Sequence, residues 1–293
     1  MRRANKSGAW ARKVRSGLYG CALLIAVALA FFAWQNFYPA QASSGWRYSV
    51  AYERLPKVAS LIPQADGSVI LSQELDGGQG SILQITTDGS HKTIVSNLSK
   101  PDGMIAAQGG LVYSQEVEGA RVRLLKDGVS TDLFTGQKVQ GLWDDGEYLY
   151  AIEDRKGDGR LLRYRWRDGA LETVRDHLSE AESVTRCSDG RMLYTEKEKG
   201  VVRQLSEDGA DPVVLADLNQ PTFLMCDQRG LWISEDSTHR ARLLLLDTHG
   251  QLQTILSFLK APQMLTRTVR GTYLLAEGGR DRVLEVMPLG DNP

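Results

Sequence analysis

The sequence predicts an all-β chain, a six-bladed β-propeller with four-stranded blades, preceded by one N-terminal transmembrane helix. A glycine-containing turn recurs six times at intervals of 39–41 residues, and a second turn recurs once in each interval. Units of about 40–45 residues with four strands each are typical of propeller blades. An uncharged apolar segment behind a basic N-terminus predicts the helix.

One turn series joins the third and fourth strands, c and d, of each repeat. It lies between β-rich runs such as residues 81–85 and 92–95, which is the pattern of a hairpin. Asp-Gly, which favours the positive φ angles of tight hairpin turns, occupies four of the six positions. The six turns are Asp88-Gly89, Asp127-Gly128, Asp168-Gly169, Asp208-Gly209, His249-Gly250 and Leu289-Gly290.

A second turn series joins strands a and b. A short apolar run such as residues 69–71 or 192–194 follows each turn, and no helical periodicity separates the repeats. The Greek-key connections of a β-sandwich would not repeat so evenly. These turns are Asp66-Gly67, Gly109-Gly110, Asp145-Gly146, Asp189-Gly190, Arg229-Gly230 and Arg270-Gly271.

The last repeat ends near Leu289-Gly290 without its outer strand. Residues 46–52 alternate large apolar with polar side chains and precede the first complete repeat. We therefore expect this N-terminal strand to complete blade six, which closes the ring and removes an exposed sheet edge.

The N-terminal 45 residues contain six basic residues and no acidic one. We predict a basic cytoplasmic tail at 1–16, a transmembrane or signal-anchor segment at 17–38, a linker at 39–45 and the propeller at 46–293. The positive-inside rule then places the propeller outside the cytoplasm, on the periplasmic side of the inner membrane if the source is bacterial. The alternative is a secreted domain, cleaved near Ala42 after the small-x-small sequence Ala40-Gln41-Ala42.

The charge of the exported part excludes one class of partner. The leader holds six of the 35 Lys and Arg residues and none of the 36 Asp and Glu residues, so the rest of the chain has a formal charge of about −7. An acidic domain repels phosphate backbones, so we expect no nucleic acid. The expected partners are a small molecule or a protein at the propeller face, and the membrane through residues 17–38, with a monomeric ectodomain.

A glutamate is predicted at the end of every b strand. Arginine follows four of the six by seven residues, and Arg282 follows Glu277 by five, which indicates cross-strand ion pairs across the b–c loop. Ser81 replaces the arginine after Glu74, so we expect Glu74 to be unpaired and free for a ligand. The six glutamates are Glu74, Glu116, Glu153, Glu196, Glu235 and Glu277.

The residues that open each inner strand should surround the channel mouth, because the loops entering strand a and joining b to c open on one face. Aligned on the strand-b glutamates, all six are polar: Lys57, Asp102, Gln140, Glu182, Thr222 and Gln263. A hydrated channel lining explains this polarity, but the variety of the side chains favours a pocket. With Glu74 they are the predicted ligand-binding residues.

Cysteine and histidine provide no predicted catalytic or metal site. Cys187 and Cys226 occupy equivalent positions in adjacent blades, where we expect two buried thiols, although a disulfide is conceivable. The four histidines, His91, His177, His239 and His249, fall on turns or outer loops and form no cluster. Glu74, Asp102 and Glu182 could bind a cation jointly, but they have no defined metal spacing, so no metal ligand is assigned.

The repeat resembles a known group of propellers. Tyr194-Thr195-Glu196, Arg203-Gln204-Leu205 and Asp208-Gly209, together with the strand entry at Pro101-Asp102-Gly103-Met104, are similar to the NHL-repeat and senescence-marker-protein/gluconolactonase/strictosidine-synthase-like group over residues 46–291. The gluconolactonase branch implies a divalent metal, held by Glu, Asn and Asp, that activates water. This chain departs from that ligand set, because the corresponding positions hold Lys57, Gln140 and Thr222.

Two functions follow from these observations. The first is a membrane-anchored, exported propeller that binds a ligand or protein partner at its channel-mouth face without catalysis or cofactor. The alternative is a metal-dependent hydrolase of the gluconolactonase type, using Ca²⁺ or Zn²⁺ with Glu74, Asp102 and Glu182 as ligands or base. The anchored topology also resembles the membrane-bound strictosidine-synthase-like proteins.

Overall fold

The computed structural model describes residues 7–236 and 240–290 and divides the chain into two compact units, residues 1–39 and 40–293. Arg2, Arg3 and Lys6 of the predicted basic tail and His239 lie outside the described residues. The first unit contains helix α1, Ser7–Phe37. Its segment Val14–Trp34 is long and apolar enough to cross a membrane, a property that signal sequences share.

The second unit is a six-bladed propeller, as predicted. The first three blades are four-stranded antiparallel sheets in chain order. Blade one contains β3 Val58–Pro63, β4 Val69–Gln73, β5 Gly80–Ile85 and β6 His91–Leu98; blade two contains β7 Met104–Ala107, β8 Gly110–Tyr113, β9 Arg121–Lys126 and β10 Val129–Thr135; blade three contains β11 Val139–Asp144, β12 Tyr148–Glu153, β13 Gly159–Arg165 and β14 Leu171–Leu178.

The remaining blades include two strands from the beginning of the unit. Blade four contains β15 Val184–Arg186, β16 Met192–Glu196, β17 Val201–Gln204 and β18 Val213–Leu215; blade five contains β19 Pro221–Asp227, β20 Gly230–Glu235, β21 Ala241–Asp247, β22 Leu252–Leu259 and the added β1 Gln41–Ala42; blade six contains β23 Pro262–Arg267, β24 Tyr273–Glu277, β25 Arg282–Pro288 and β2 Trp46–Glu53. A 3-10 turn, Gly278–Arg280, lies between β24 and β25.

The ring closes through strand β2, which pairs with β25 along its whole length from Trp46 opposite Pro288 to Glu53 opposite Arg282. The predicted completion of blade six by the N-terminal strand is confirmed. The first strands of successive blades contact one another around the centre, and β23 contacts β3. The six inner strands therefore enclose a single channel.

Strand β1 lies in the segment predicted as a linker, residues 39–45. Gln41 pairs with Ser257 and Ala42 with Leu256, which adds a fifth strand to blade five. The carbonyl of the buried Ala40 accepts a hydrogen bond from the Tyr48 hydroxyl at 2.7 Å. These contacts cover the outer edge of blade five, and a short two-residue pairing has no strong sequence pattern that would predict it.

Apolar side chains fill the spaces between neighbouring blades. Trp232 of blade five packs against Tyr273 of blade six with ring centroids 4.6 Å apart, and both are fully buried. Trp46 of β2 completes this cluster, with its ring 5.4 Å from Trp232 in an edge-to-face arrangement. The N-terminal strand thus contributes apolar packing as well as backbone pairing to closure.

Candidate functional site at the channel mouth

A hydrogen bond repeated in every blade defines the channel mouth. One residue just before each inner strand has a left-handed φ between 43° and 55°, and its carbonyl accepts the backbone N–H of a residue one to three positions after strand b. Each bond holds a d–a connection against a b–c loop, so both loop sets open on one face. The pairs, carbonyl first, are Lys57–Glu74, Lys100–Glu116, Lys138–Asp154, Glu180–Lys197, Gln220–Asp236 and Ala261–Gly278.

This repeated bond changes the predicted alignment of blades one and two. Glu153, Glu196, Glu235 and Glu277 end their strands, but β4 and β8 end before Glu74 and Glu116. Gln115 is the structural counterpart of Glu153, since its Oε1 accepts the backbone N–H of Ser99 at 2.7 Å as Glu153 accepts that of Gln137 at 2.8 Å. The prediction that all six b strands end in glutamate is therefore wrong for these two blades.

Four of the five predicted ion pairs are confirmed. Each arginine Nε lies 2.6 Å from a buried carboxylate, in the pairs Arg160–Glu153, Arg203–Glu196, Arg242–Glu235 and Arg282–Glu277. The fifth, Glu116–Arg123, is wrong. Arg123 lies opposite Asp132 in the β9–β10 pairing and its Nε is 2.8 Å from that carboxylate.

Glu74 and Glu116 instead share a lysine at the mouth. Lys100 Nζ donates a short hydrogen bond to Glu116 and lies 3.6 Å from Oε1 of Glu74. The expectation that Glu74 is unpaired is therefore wrong, because the lysine that opens blade two was not considered as its partner. Burial raises the pKa of Glu74, with Lys100 opposing the shift and Glu116 adding to it.

A second lysine joins blades four and five. Lys197 Nζ lies 2.6 Å from Oε1 of Glu182 and 3.0 Å from Oδ2 of Asp236. Burial opposes the charge of Lys197, but the two carboxylates outweigh it and raise its pKa. Burial raises the pKa of Glu182 to about 8, although Lys197 lowers it.

Asp102 and Asp154 add two more acids. Burial raises the pKa of Asp102 well above its usual range, and the nearby Glu74 and Glu182 add to the shift. Burial, followed by Glu116, raises the pKa of Asp154 to about 6. Among the described residues, Oδ1 of Asp154 is one of two buried side-chain polar atoms without a hydrogen-bond partner, while Oδ2 accepts from Gln140 Nε2 at 3.3 Å.

Sequence reasoning missed half of this acidic set. Asp154 and Asp236 directly follow the strand-b glutamates, and that adjacency was the available signal for a second polar position facing the mouth. Glu116 was assigned to the wrong position, and Lys100 and Lys197 were not considered. We call the resulting group the mouth cluster: Glu74, Lys100, Asp102, Glu116, Asp154, Glu182, Lys197 and Asp236.

A small cavity lies in the channel behind the mouth cluster. Five of the predicted ring residues line it, namely Asp102, Gln140, Glu182, Thr222 and Gln263. The sixth, Lys57, does not; it is exposed, and the buried Ala59 occupies the ring position because the glutamate alignment is shifted in blade one. The cavity volume is about 30 Å³, which is room for one or two water molecules.

Close contact between inner strands narrows the channel. A Cβ at Gly103 would lie 1.9 Å from the carbonyl oxygen of Gln140, and one at Gly141 would lie 2.4 Å from that of Glu182. Blades two, three and four therefore approach one another at a distance that only glycine permits. The channel therefore has no room for a ligand much larger than water.

The cysteine prediction is corrected by the structure. Cys187 and Cys226 form a disulfide with a Cα separation of 5.0 Å, within the range of about 4.4–6.8 Å that a disulfide requires. Both are half-buried rather than buried thiols. Equivalent positions on adjacent inner strands are close enough because the blades converge toward the channel.

In the described parts of the chain, no group of three or more His, Cys, Asp and Glu side chains has an arrangement that could hold a metal ion. Carboxylates in the mouth cluster are directed at lysines instead: Glu74 and Glu116 at Lys100, and Glu182 at Lys197. The arrangement can bind positively charged groups by displacement or extension of these ion pairs.

Comparison with known proteins supports the fold. No known family profile matches the sequence, and no curated protein is similar to it. Among solved structures, a gluconolactonase from Xanthomonas campestris superposes with a TM-score of 0.69 at 15% identity over 86% of this chain and 95% of that one. A luciferin-regenerating enzyme superposes with a TM-score of 0.69 at 11% identity, over 84% of this chain and 96% of that one.

The chain has the fold of the gluconolactonase-like six-bladed propellers. A chain from a nidogen/laminin complex, which is a complex of two proteins, also superposes, with a TM-score of 0.59 at 14% identity over 74% of this chain and 94% of that one. The gluconolactonase-like fold therefore occurs both in enzymes and in a protein–protein complex. At this identity the likeness extends to the fold and not to the activity.

Proposed function

We propose that this chain is a membrane-tethered, exported propeller that binds a positively charged small ligand, such as an organic amine, at its channel mouth without catalysis. The observation that supports this proposal is the mouth cluster. Six carboxyl groups from five blades lie there around two ammonium groups. A further cationic group at the mouth would stabilise the excess of carboxylates.

The raised pKa values support this charge selectivity. Asp102, Asp154 and Glu182 each have a raised pKa, because burial and neighbouring acids disfavour their ionised forms. A bound cation favours those ionised forms and recovers Coulomb energy in a partly desolvated site. Oδ1 of Asp154, buried and without a partner, is a ready acceptor for an N–H donor.

A non-catalytic role is supported by the partners of Glu182. This carboxylate is the strongest candidate for a general base or metal ligand, yet Lys197 Nζ occupies its Oε1 at 2.6 Å and also bridges to Asp236. An ammonium therefore fills the position where acids of two blades meet. Hydrolysis through Glu182 would require this bridge to open first.

Export is supported by two independent features. The apolar segment Val14–Trp34 is suited to a signal anchor or a signal sequence. The disulfide between Cys187 and Cys226 is of the kind that persists in oxidising compartments outside the cytoplasm.

Calorimetric titration of the full chain in nonionic detergent tests the proposal. We expect putrescine to bind to the wild type and to bind at least tenfold more weakly to a Glu74→Gln/Asp154→Asn variant, because each change removes a carboxylate charge from the mouth. The matched control is Glu172→Gln/Asp168→Asn, which removes two exposed acids on the outside of blade three. No binding by the wild type, or equal loss in the control, would contradict the proposal.

The gluconolactonase-like fold favours metal-dependent hydrolysis of a lactone or ester as the second candidate. It requires Asp102 or Glu182 to hold a divalent cation, with stoichiometric metal in the purified chain. If lactones or aryl esters are hydrolysed with Ca²⁺ or Zn²⁺, and Glu182→Gln abolishes turnover while Glu172→Gln does not, the hydrolase replaces the binding function. The hydrolase would be excluded if the purified chain contains no metal and its melting temperature does not change when either ion is added.

A further inference from the structure

A second cavity, the arginine cavity, opens between blades five and six with a volume of about 520 Å³. Arg229 and Arg270 belong to the a–b turns of these blades, Arg267 ends β23, and Arg47 is the second residue of β2. The a–b turns lie on the opposite face from the b–c loops of the channel mouth. The arginine cavity is therefore separate from the mouth cluster.

The charge of the arginine cavity is opposite to that of the domain around it. Four arginines line it, and Glu285 is the one acid among the described lining residues. Elsewhere in the propeller, arginines such as Arg160 lie against a buried carboxylate, here that of Glu153. Guanidinium groups gathered in one cavity repel each other, so an anion bound among them would lower the energy of the site.

Neighbouring side chains orient two of these arginines. Arg229 lies over the ring of Trp46 with 5.5 Å between its guanidinium carbon and the ring centroid. Arg267 Nη1 donates to Gln228 Oε1 at 2.9 Å. A guanidinium has five N–H donors, so this bond uses only part of the donor set of Arg267.

The acids near the arginine cavity are already engaged. Glu285 Oε1 accepts from Thr272 Oγ1 at 2.8 Å and from Arg270 Nη2 at 3.3 Å. Asp227, which is close to Arg229 but does not line the cavity, accepts from Tyr273 and from two N–H groups. Among the described residues, no carboxylate forms an ion pair with Arg47 or Arg267.

We infer that the arginine cavity binds a phosphate group carried by a small molecule or by a lipid headgroup. Forked guanidinium donors from separate strands match the several oxygens of a phosphate and bind it with charge-assisted hydrogen bonds. The volume lies within the range of about 300–1,000 Å³ that small-molecule sites occupy. This site adds an anion-binding function to a domain whose net charge is acidic.

Titration of the full chain in nonionic detergent and phosphate-free buffer tests this site. The probes are glycerol 3-phosphate, a phosphate monoester, and glycerophosphoglycerol, the soluble diester headgroup of phosphatidylglycerol. We expect at least one probe to bind, and binding to weaken at least tenfold in Arg47→Gln/Arg267→Gln. Both side chains are exposed, so the variant should keep the wild-type melting temperature.

The matched control is Arg167→Gln/Arg191→Gln, which makes the same charge change at exposed sites in blades three and four. Its affinity should stay within twofold of the wild type. Preference for the diester identifies a lipid headgroup, and preference for the monoester identifies a soluble phosphate. Failure of the wild type to bind either probe, or equal affinities of the two double variants, would overturn the inference. Glu74→Gln at the mouth cluster should leave this binding unchanged.

Discussion

The ammonium of Lys197 lies 2.6 Å from Oε1 of Glu182 and 3.0 Å from Oδ2 of Asp236, so a single lysine joins the acids of blades four and five. The Glu182 side chain is only 6% exposed and that of Lys197 18% exposed. This bridge connects the stability of the propeller to the charge of its mouth.

Replacement of Lys197 by methionine should destabilise the protein most at alkaline pH. The change leaves Glu182 buried without its counter-charge, and we expect the free energy of unfolding to fall by about 3 kcal/mol at pH 8. The loss should be smaller at pH 5, where Glu182 is protonated. Urea denaturation at both pH values measures this. Lys156→Met, which breaks an exposed pair with Glu198, should cost less than about 1 kcal/mol.

The stability of the wild type should fall as the pH rises from 5 to 8. The pKa of Glu182 is raised to about 8 in the folded state, against about 4.3 in the unfolded chain. Between these values the folded state holds a proton that the unfolded state lacks, so stability decreases with pH, by about 2–4 kcal/mol in total. Glu182→Gln should make this profile shallower, with Asp102 and Asp154 retaining part of the slope, whereas the exposed-site variant Glu172→Gln should keep the wild-type profile. Parallel profiles for the wild type and Glu182→Gln would refute the assignment of this pH dependence to Glu182.

Loss of the disulfide between Cys187 and Cys226 should lower stability by about 4 kcal/mol, because the two cysteines are 39 positions apart and the loop they close restricts the unfolded chain. The Cys187→Ser/Cys226→Ser variant should show a lower urea midpoint, and a reducing agent should have the same effect on the wild type. Cys21→Ser, at the free cysteine of helix α1, provides the control. An unchanged midpoint in the double variant would show that the bridge does not form.

Trp46→Ala should weaken ring closure. The change removes the contacts of β2 with Trp232 and Tyr273, and we expect the free energy of unfolding to fall by about 3 kcal/mol. Val50→Ala on the same strand, where the side chain is 37% exposed, should cost less than about 1 kcal/mol. Equal effects of the two changes in thermal denaturation would mean that closure depends on backbone pairing alone.

The repeat itself could be read without a structure. Turn glycines such as Gly89, Gly128 and Gly169 recur at a nearly constant interval because each blade needs the same positive-φ turn, and all three have positive φ. The sequence of residues 46–52 was sufficient to predict closure, because period-two alternation beside an incomplete last repeat has one suitable place in the ring. Fold, blade number and closure were therefore determined locally.

The position of the candidate site depended on the tertiary structure. A one-residue difference between Gln115-Glu116 and Glu153-Asp154 does not change the repeat length, but it decides which side chain pairs with an arginine and which faces the mouth. Only the backbone hydrogen bonds between neighbouring loops reveal that shift.

Contacts between blades could not be predicted from the sequence either. The Lys197 bridge to Asp236, the Cys187–Cys226 disulfide and the arginine cavity each join residues of neighbouring blades. Strand patterns report which residues lie within one sheet, because their period is set by the local backbone. The distance between blades is set by how six sheets pack around one channel. The sequence therefore determined the propeller, and the packing of its blades decided the chemistry of both candidate sites.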